Sequence, residues 1–299
     1  MKVLISIVLV SLSFFGYSQT KEESLKELKN SKLFIFTYDT TDAETSTYCK
    51  EFNHNLYEVF NSKRWDFCKV EYIPVSKIDA LVESNGEAFL LIPMEIEFTN
   101  TPTMKLNQRS EGTISYLKLG RAKDYVVRKQ FFKKNKYVDL KKTLNSAGMA
   151  RFDLKSMFIG IGYMQKSLYN GILTKEEIIA KKELAKTKEK VSNIQKLKTK
   201  TLYIDKDELD GLNEKDIKSI YHHPVKVTSL KEITDAIKEN RADVIFIQIQ
   251  MGPSTQNKDI LMAIDADDYS NLAYFTVEVG LTKLNKDVFE KLNKIADKE

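Results

Sequence analysis

Lys69 to Ile96 reads KVEYIPVSKIDALVESNGEAFLLIPMEI and Pro224 to Met251 reads PVKVTSLKEITDAIKENRADVIFIQIQM; one pattern recurs about 155 positions apart. Each stretch has the periodicity of a strand, an amphipathic helix and an apolar strand. Ile78, Leu81, Val82 and Asn85 match Ile233, Ala236, Ile237 and Asn240, and Phe89-Leu90-Leu91-Ile92 matches Val244-Ile245-Phe246-Ile247. Further on, Arg121-Ala122-Lys123-Asp124-Tyr125 matches Asp265-Ala266-Asp267-Asp268-Tyr269, each directly after an apolar run. The matched positions are nearly all apolar, so what recurs is a core and not a reaction centre.

Working outward, the first copy, whose opening strand reads as 67–73, is preceded by a strand at 33–36 and a helix at 48–60. The second is preceded by a strand at 202–204 and a helix at 213–221, and a helix at 286–296 closes the chain. Helices alternating with strands predict α/β layering. The expected architecture is α/β: two tandem duplicated units of β-α-β-α-β-β order, 19–123 and 201–299, joined by a basic helical segment, 124–200. Each unit is long enough to bury its own core.

The joining segment is chemically distinct. Over 121–200, Lys and Arg exceed Asp and Glu by about 14, although the whole chain carries only +5. A helix at 152–169 places Leu154, Met157, Phe158, Ile161 and Met164 on an apolar side. Thr174 with Glu177 three positions on forms a capping box for a second helix. That helix has only a thin stripe, Ile178, Leu184, Val191 and Ile194, which leaves most of it in water. Lys181, Lys182, Lys186, Lys188 and Lys190 then form a candidate anion-binding surface whose attraction is screened by salt.

Residues 1–18 have a positive start, an apolar run at 3–15 and small residues before Gln19, the layout of a secretory signal peptide. The expected product is exported, periplasmic or secreted, without a transmembrane segment, because no apolar run reaches the ~20 residues needed to span a bilayer. Cys49 and Cys68 could pair in such a compartment or remain buried thiols.

Familiar catalytic motifs are missing. There is no G-x-x-x-x-G-K-[ST] loop, no G-x-S-x-G elbow and no H-E-x-x-H, and Gly160-Ile161-Gly162 reads as close helix packing. No cofactor is expected. Asp205 to Gly211 resembles a calcium loop but puts Leu209 and Asp210 where an oxygen ligand and glycine belong, so it reads as an acidic turn. Asp265, Asp267 and Asp268, at a strand end, are the candidate metal ligands; an exposed turn explains them as well. His222 and His223 point to opposite sides of an extended segment, and the match of His222 with Phe67 suggests that one imidazole packs.

The element order of each unit resembles that of the small α/β domains of exported bacterial assembly proteins, and also that of the thioredoxin fold. The thioredoxin likeness does not extend to chemistry, because C-x-x-C is absent. Export, the repeated core and the absence of any catalytic motif point to an exported, non-catalytic binding or assembly module of a bacterial envelope, and the clustered Lys and Arg point to an envelope protein or an anionic surface polymer as partner. Nucleic acid is disfavoured by export, despite Tyr125, Phe131, Phe132 and Tyr137 within the basic segment. The alternatives are a metal-dependent hydrolase using Asp265 to Asp268, or a two-lobed solute-binding protein.

Overall fold

β-Branched and aromatic runs flanked by turn residues become the strands, and the stretches with 3.6-residue apolar spacing become the helices. A computed structural model of the chain describes residues 21–39, 47–62, 64–99, 111–129, 136–149, 152–174, 176–180, 193–250, 258–278 and 283–298. The expected leader 1–18, Gln19 and the lysines Lys181, Lys182, Lys186, Lys188 and Lys190 lie outside them.

The N-terminal half runs α1 (21–29), β1 (Lys32–Thr37), α2 (Thr47–Phe60), β2 (Lys69–Pro74), α3 (Ile78–Ser84), β3 (Phe89–Thr99) and β4 (Glu111–Arg121). It continues through β5 (Tyr125–Lys129), β6 (Lys136–Leu140), β7 (Asn145–Met149) and α4 (Leu154–Gly171). The C-terminal half runs α5 (193–199), β8 (Thr201–Asp205), α6 (Glu214–Lys218), β9 (Val225–Thr228), α7 (Leu230–Lys238) and β10 (Val244–Gln250). It ends with β11 (Lys258–Asp265), β12 (Asn271–Glu278) and α8 (Lys286–Ala296).

The fold is mixed α/β. One five-stranded sheet has the order β2-β1-β3-β4-β7 and another the order β9-β8-β10-β11-β12; β5 and β6 form a separate hairpin. In both five-stranded sheets the first three strands are parallel to one another and the remaining pairings are antiparallel.

Residues 124–200 are therefore not only a helical connector. They supply the hairpin, the edge strand β7 and α4. β7 escapes periodicity because Asn145-Ser146-Ala147-Gly148-Met149 is small and polar; it forms because β4 offers an unpaired edge, with Leu117 opposite Ala147. Likewise β12 adds to the edge of β11. The capping box at Thr174 and Glu177 does form, each backbone N–H donating to the other side chain.

The pairing also shifts the sequence match by one residue at the central strand. Leu33 lies opposite Val70 and Phe89, whereas Leu202 lies opposite Val225 and Ile245. Phe89 thus holds the place of Ile245, not of Val244. The extra residue sits in the turn after α7, where Arg241 N–H donates to Ala236 C=O around Asn240, whose φ is +53°. Asparagine tolerates this left-handed conformation better than most residues.

Alternation along the C-terminal sheet sorts its side chains between two cores. Leu202, Ile204, Ile245, Ile247, Leu261 and Ala263 join α6 and α8, while Tyr203, Phe246, Met262 and Ile264 join α7 and the core of the N-terminal half. α4 lies between the two sheets and is buried nearly all round. Gly160 takes it against β7, where an added Cβ would lie 2.5 Å from Met149, and Gly162 takes it against Tyr269 of the other half. The Lys155 ammonium, at the start of α4, is buried with Glu208 at 2.7 Å.

The hairpin serves a similar purpose on the first sheet. Phe34, Leu90, Ile92, Lys118 and Gly120 share the face that corresponds in strand order to Tyr203, Phe246, Gln248, Met262 and Ile264. α4 covers that face in the C-terminal half; Leu140 and Asp139 of β6 cover it in the N-terminal half, Asp139 pairing with Lys118 at 2.8 Å.

Candidate functional site

The turn after β11 carries the three candidate ligands. Backbone geometry closes it first: Ala266 N–H donates to Val244 C=O, Tyr269 N–H to Asp265 C=O, and Asp265 N–H to Ser270 C=O. These bonds place Asp265 inside the protein, fully buried, with its carboxylate on Lys196 of α5 and on Lys200 just after it. Lys200 Nζ reaches both oxygens at 2.7 and 2.6 Å, Lys196 Nζ reaches one at 2.8 Å, and Asp267 N–H donates at 3.0 Å. Asp265 is thus not part of a water-exposed turn. It is a buried anion whose charge is satisfied by two ammonium groups.

Asp268 shares Lys196 at 2.9 Å and accepts from Ser270 N–H at 2.7 Å. Partial burial pushes its carboxyl up, but the bonds from Ser270 and Lys196 outweigh that and hold it at about 2. Burial likewise lowers Lys196, yet its bonds to Asp265 and Asp268 prevail and raise it. Because Asp268 titrates lower folded than unfolded, its contribution to stability is complete above about pH 4 and is lost as pH falls through about 2. Denaturant midpoints measured from pH 5 downward should therefore show Asp268→Asn weaker than the parent at pH 5, with the difference shrinking as pH approaches 2 and vanishing below it.

Asp267 is exposed, and its carboxylate enters no ion pair among the described residues. The three aspartates therefore do not converge. Among the described residues no group of three or more His, Cys, Asp or Glu side chains could hold a metal ion.

The corresponding place in the N-terminal half holds the same interaction with its charges exchanged. Arg121, at the end of β4, is bonded to Glu27 of α1 at 2.6 and 2.9 Å, and its guanidinium lies over the Phe89 ring at 3.8 Å. Acid on helix and base on strand in one half become base on helix and acid on strand in the other. That is why Arg121 to Asp124 reads basic where Asp265 to Asp268 reads acidic.

Beside the turn, between the halves, lies a cleft of about 510 Å³. Val59, Phe158, Ile161, Tyr169 and Tyr269 give it apolar and aromatic walls. Arg64 crosses the junction, donating to the carbonyls of Ala266 and Asp267 and stacking 4.3 Å over the Tyr269 ring. Burial lowers its pKa, and its Nε is buried without a hydrogen-bond partner. Tyr269 is held there with φ at +56°. No run of sequence announces this cleft: its residues come from α2, the loop after it, α4 and two turns of the other half.

The remaining candidates are structural. His222 is exposed; the buried ring beside it is Tyr221, whose hydroxyl donates to Leu197 C=O at 2.9 Å, while His223 packs on Tyr221 and meets Asp297 at 3.0 Å. Asp205 accepts from Asp207 N–H in a short 3-10 turn, and Gly211 follows with φ at +68°. Cys49 and Cys68 are not joined in a disulfide, and burial pushes Cys68 up to about 12, far from a reactive thiolate. Burial also raises the Tyr125 phenol, which packs against the first core and is poorly placed to stack on a base. No helix among the described residues is long and apolar enough to cross a membrane. Comparison of the chain with protein-family models, with curated proteins and with solved structures finds no match.

Proposed function

We propose that the chain is an exported, non-catalytic binding or assembly module of a bacterial envelope, built from two α/β units that arose by tandem duplication. The observation that carries the non-catalytic reading is the state of Asp265. Two lysines occupy the space that a divalent ion would need beside it, so the buried member of this acidic turn is spent on holding α5 to the sheet. The duplication is supported by the shared strand order, by the shared directions of pairing and by the exchanged ion pair. Export rests on the composition of residues 1–18. The partner, an envelope protein or anionic surface polymer, follows from the excess of Lys and Arg over 121–200.

A titration with Mg²⁺, Mn²⁺ and Ca²⁺ separates this reading from a metal-dependent hydrolase. A ion that binds only the folded state must raise the melting temperature. The expected result is no saturable rise. A rise that Asp267→Asn abolishes would overturn the proposal in favour of the hydrolase.

A further inference from the structure

Each five-stranded sheet ends in two edge strands whose outer sides meet no further strand among the described residues. Such an edge is a template for any strand that reaches it, and proteins blunt it by shortness, charge or proline. Three of the four are blunted. β7 has five residues and β9 four, while β2 carries Lys69 and Glu71 and is stopped by Pro74. β12 is different. It runs for eight residues, Asn271-Leu272-Ala273-Tyr274-Phe275-Thr276-Val277-Glu278, without proline or glycine and with its one charge at the last position. An irregularity opposite Ala263 and Ile264 disturbs only its beginning; from Ala273 to Glu278 the pairing with β11 is regular.

Its side chains repeat the message. Ala273, Phe275 and Val277 turn toward the core under α8, whereas Tyr274 and Thr276 turn the other way and are exposed. Tyr274, at 72 % exposure, is the most open large hydrophobic residue described. The strand also matches itself. Consider a copy turned about a twofold axis at Phe275, perpendicular to the sheet, so that the two strands lie antiparallel and every side chain keeps its face. Phe275 then meets Phe275, Tyr274 meets Thr276, Ala273 meets Val277 and Leu272 meets Glu278. No like charges are opposed, and aromatic and β-branched residues enter the cross-strand pairs that stabilise sheets. The pairing uses the open edge of both copies. The joined sheet ends on both sides at β9, which is four residues long and carries Lys226, so growth stops at a dimer.

We propose that β12 is a homodimer interface, through which two copies of the chain join their C-terminal sheets by antiparallel pairing of Ala273 to Val277 about an axis at Phe275. The interface rests neither on export nor on an envelope partner.

The test is sedimentation velocity of the purified mature chain over a concentration series. A reversible monomer–dimer equilibrium without larger species is expected. Tyr274 and Thr276 are exposed, so substitutions there should leave the melting temperature unchanged at dilutions where the chain is monomeric. Tyr274→Lys combined with Thr276→Lys sets like charges opposite one another on both sides of the axis and should weaken the dimer about tenfold or more. Tyr274→Lys combined with Thr276→Glu sets opposite charges at the same two places and should restore most of the association. A chain that stays monomeric at every concentration would overturn the proposal and leave the edge to an extended segment of another protein. A dimer indifferent to the paired lysines would overturn it as well, and so would a lysine and glutamate variant no stronger than the paired lysines.

Discussion

Asp265→Arg should abolish most of the stability of the C-terminal half. The substitution brings a third cation to Lys196 and Lys200 in a place from which water is excluded, and even removing the partner of a buried ion pair typically costs about 3–5 kcal/mol. Asp265→Ala should show that smaller loss as a fall in denaturant midpoint. The rescue is written in the other half of the molecule, where the positions corresponding to Lys196, Lys200 and Asp265 hold Glu27, Ser31 and Arg121. The triple variant Lys196→Glu, Lys200→Ser, Asp265→Arg should therefore be markedly more stable than Asp265→Arg alone. Urea unfolding of the parent, the single variant and the triple variant decides the matter; a triple variant no better than the single one would show that the two places are not interchangeable.

Gly162→Leu should weaken the junction between the halves. A Cβ at Gly162 already intrudes on the Tyr269 ring, which is pinned by Arg64 and by its own left-handed backbone. Overpacking a site that cannot relax costs about 1–3 kcal/mol or more. The expected readout is a lower unfolding midpoint together with raised amide exchange at 266–269 and in α4, while the outer helices α6 and α8 retain their protection. Unchanged exchange at the junction would show that Tyr269 yields more readily than its contacts imply.

The apolar side of this fold was legible because burial writes itself into periodicity. Ile233, Ala236 and Ile237 declare a helix, and Val244 to Ile247 a fully covered strand; α8 begins and ends where its apolar spacing does. The edge strands β7 and β12 were not legible. Asn145 to Met149 has no alternation to detect, and β7 exists only because β4 has a free edge to offer. α4 was half legible: one apolar side was plain, while the burial of Lys155, Ser156 and Ile159 depends on a second layer from 200–265. The acidic turn misled for an electrostatic reason. A row of carboxylates looks alike in sequence whether it awaits a cation or already has one, and the cations here, Lys196 and Lys200, sit some 65 positions or more away in the chain. The cleft left no trace at all, since Arg64, Tyr169, Asn240 and Tyr269 come together only after the halves meet.

α4 and α8 close their respective halves, with Asp153 and Asn285 capping them in the same way. Counted from those caps, Phe158, Ile159, Ile161 and Gly162 of α4 correspond to Glu290, Lys291, Asn293 and Lys294 of α8. The first set is the surface on which the second half sits; the second set could receive no such neighbour. At the opposite end, the β5–β6 hairpin occupies the seat that a preceding α4 would need. Front-to-back stacking of like units has no natural end and, left uncorrected, makes fibres. The polar side of α8 and the β5–β6 hairpin close the two surfaces through which either half could stack in that way on another copy.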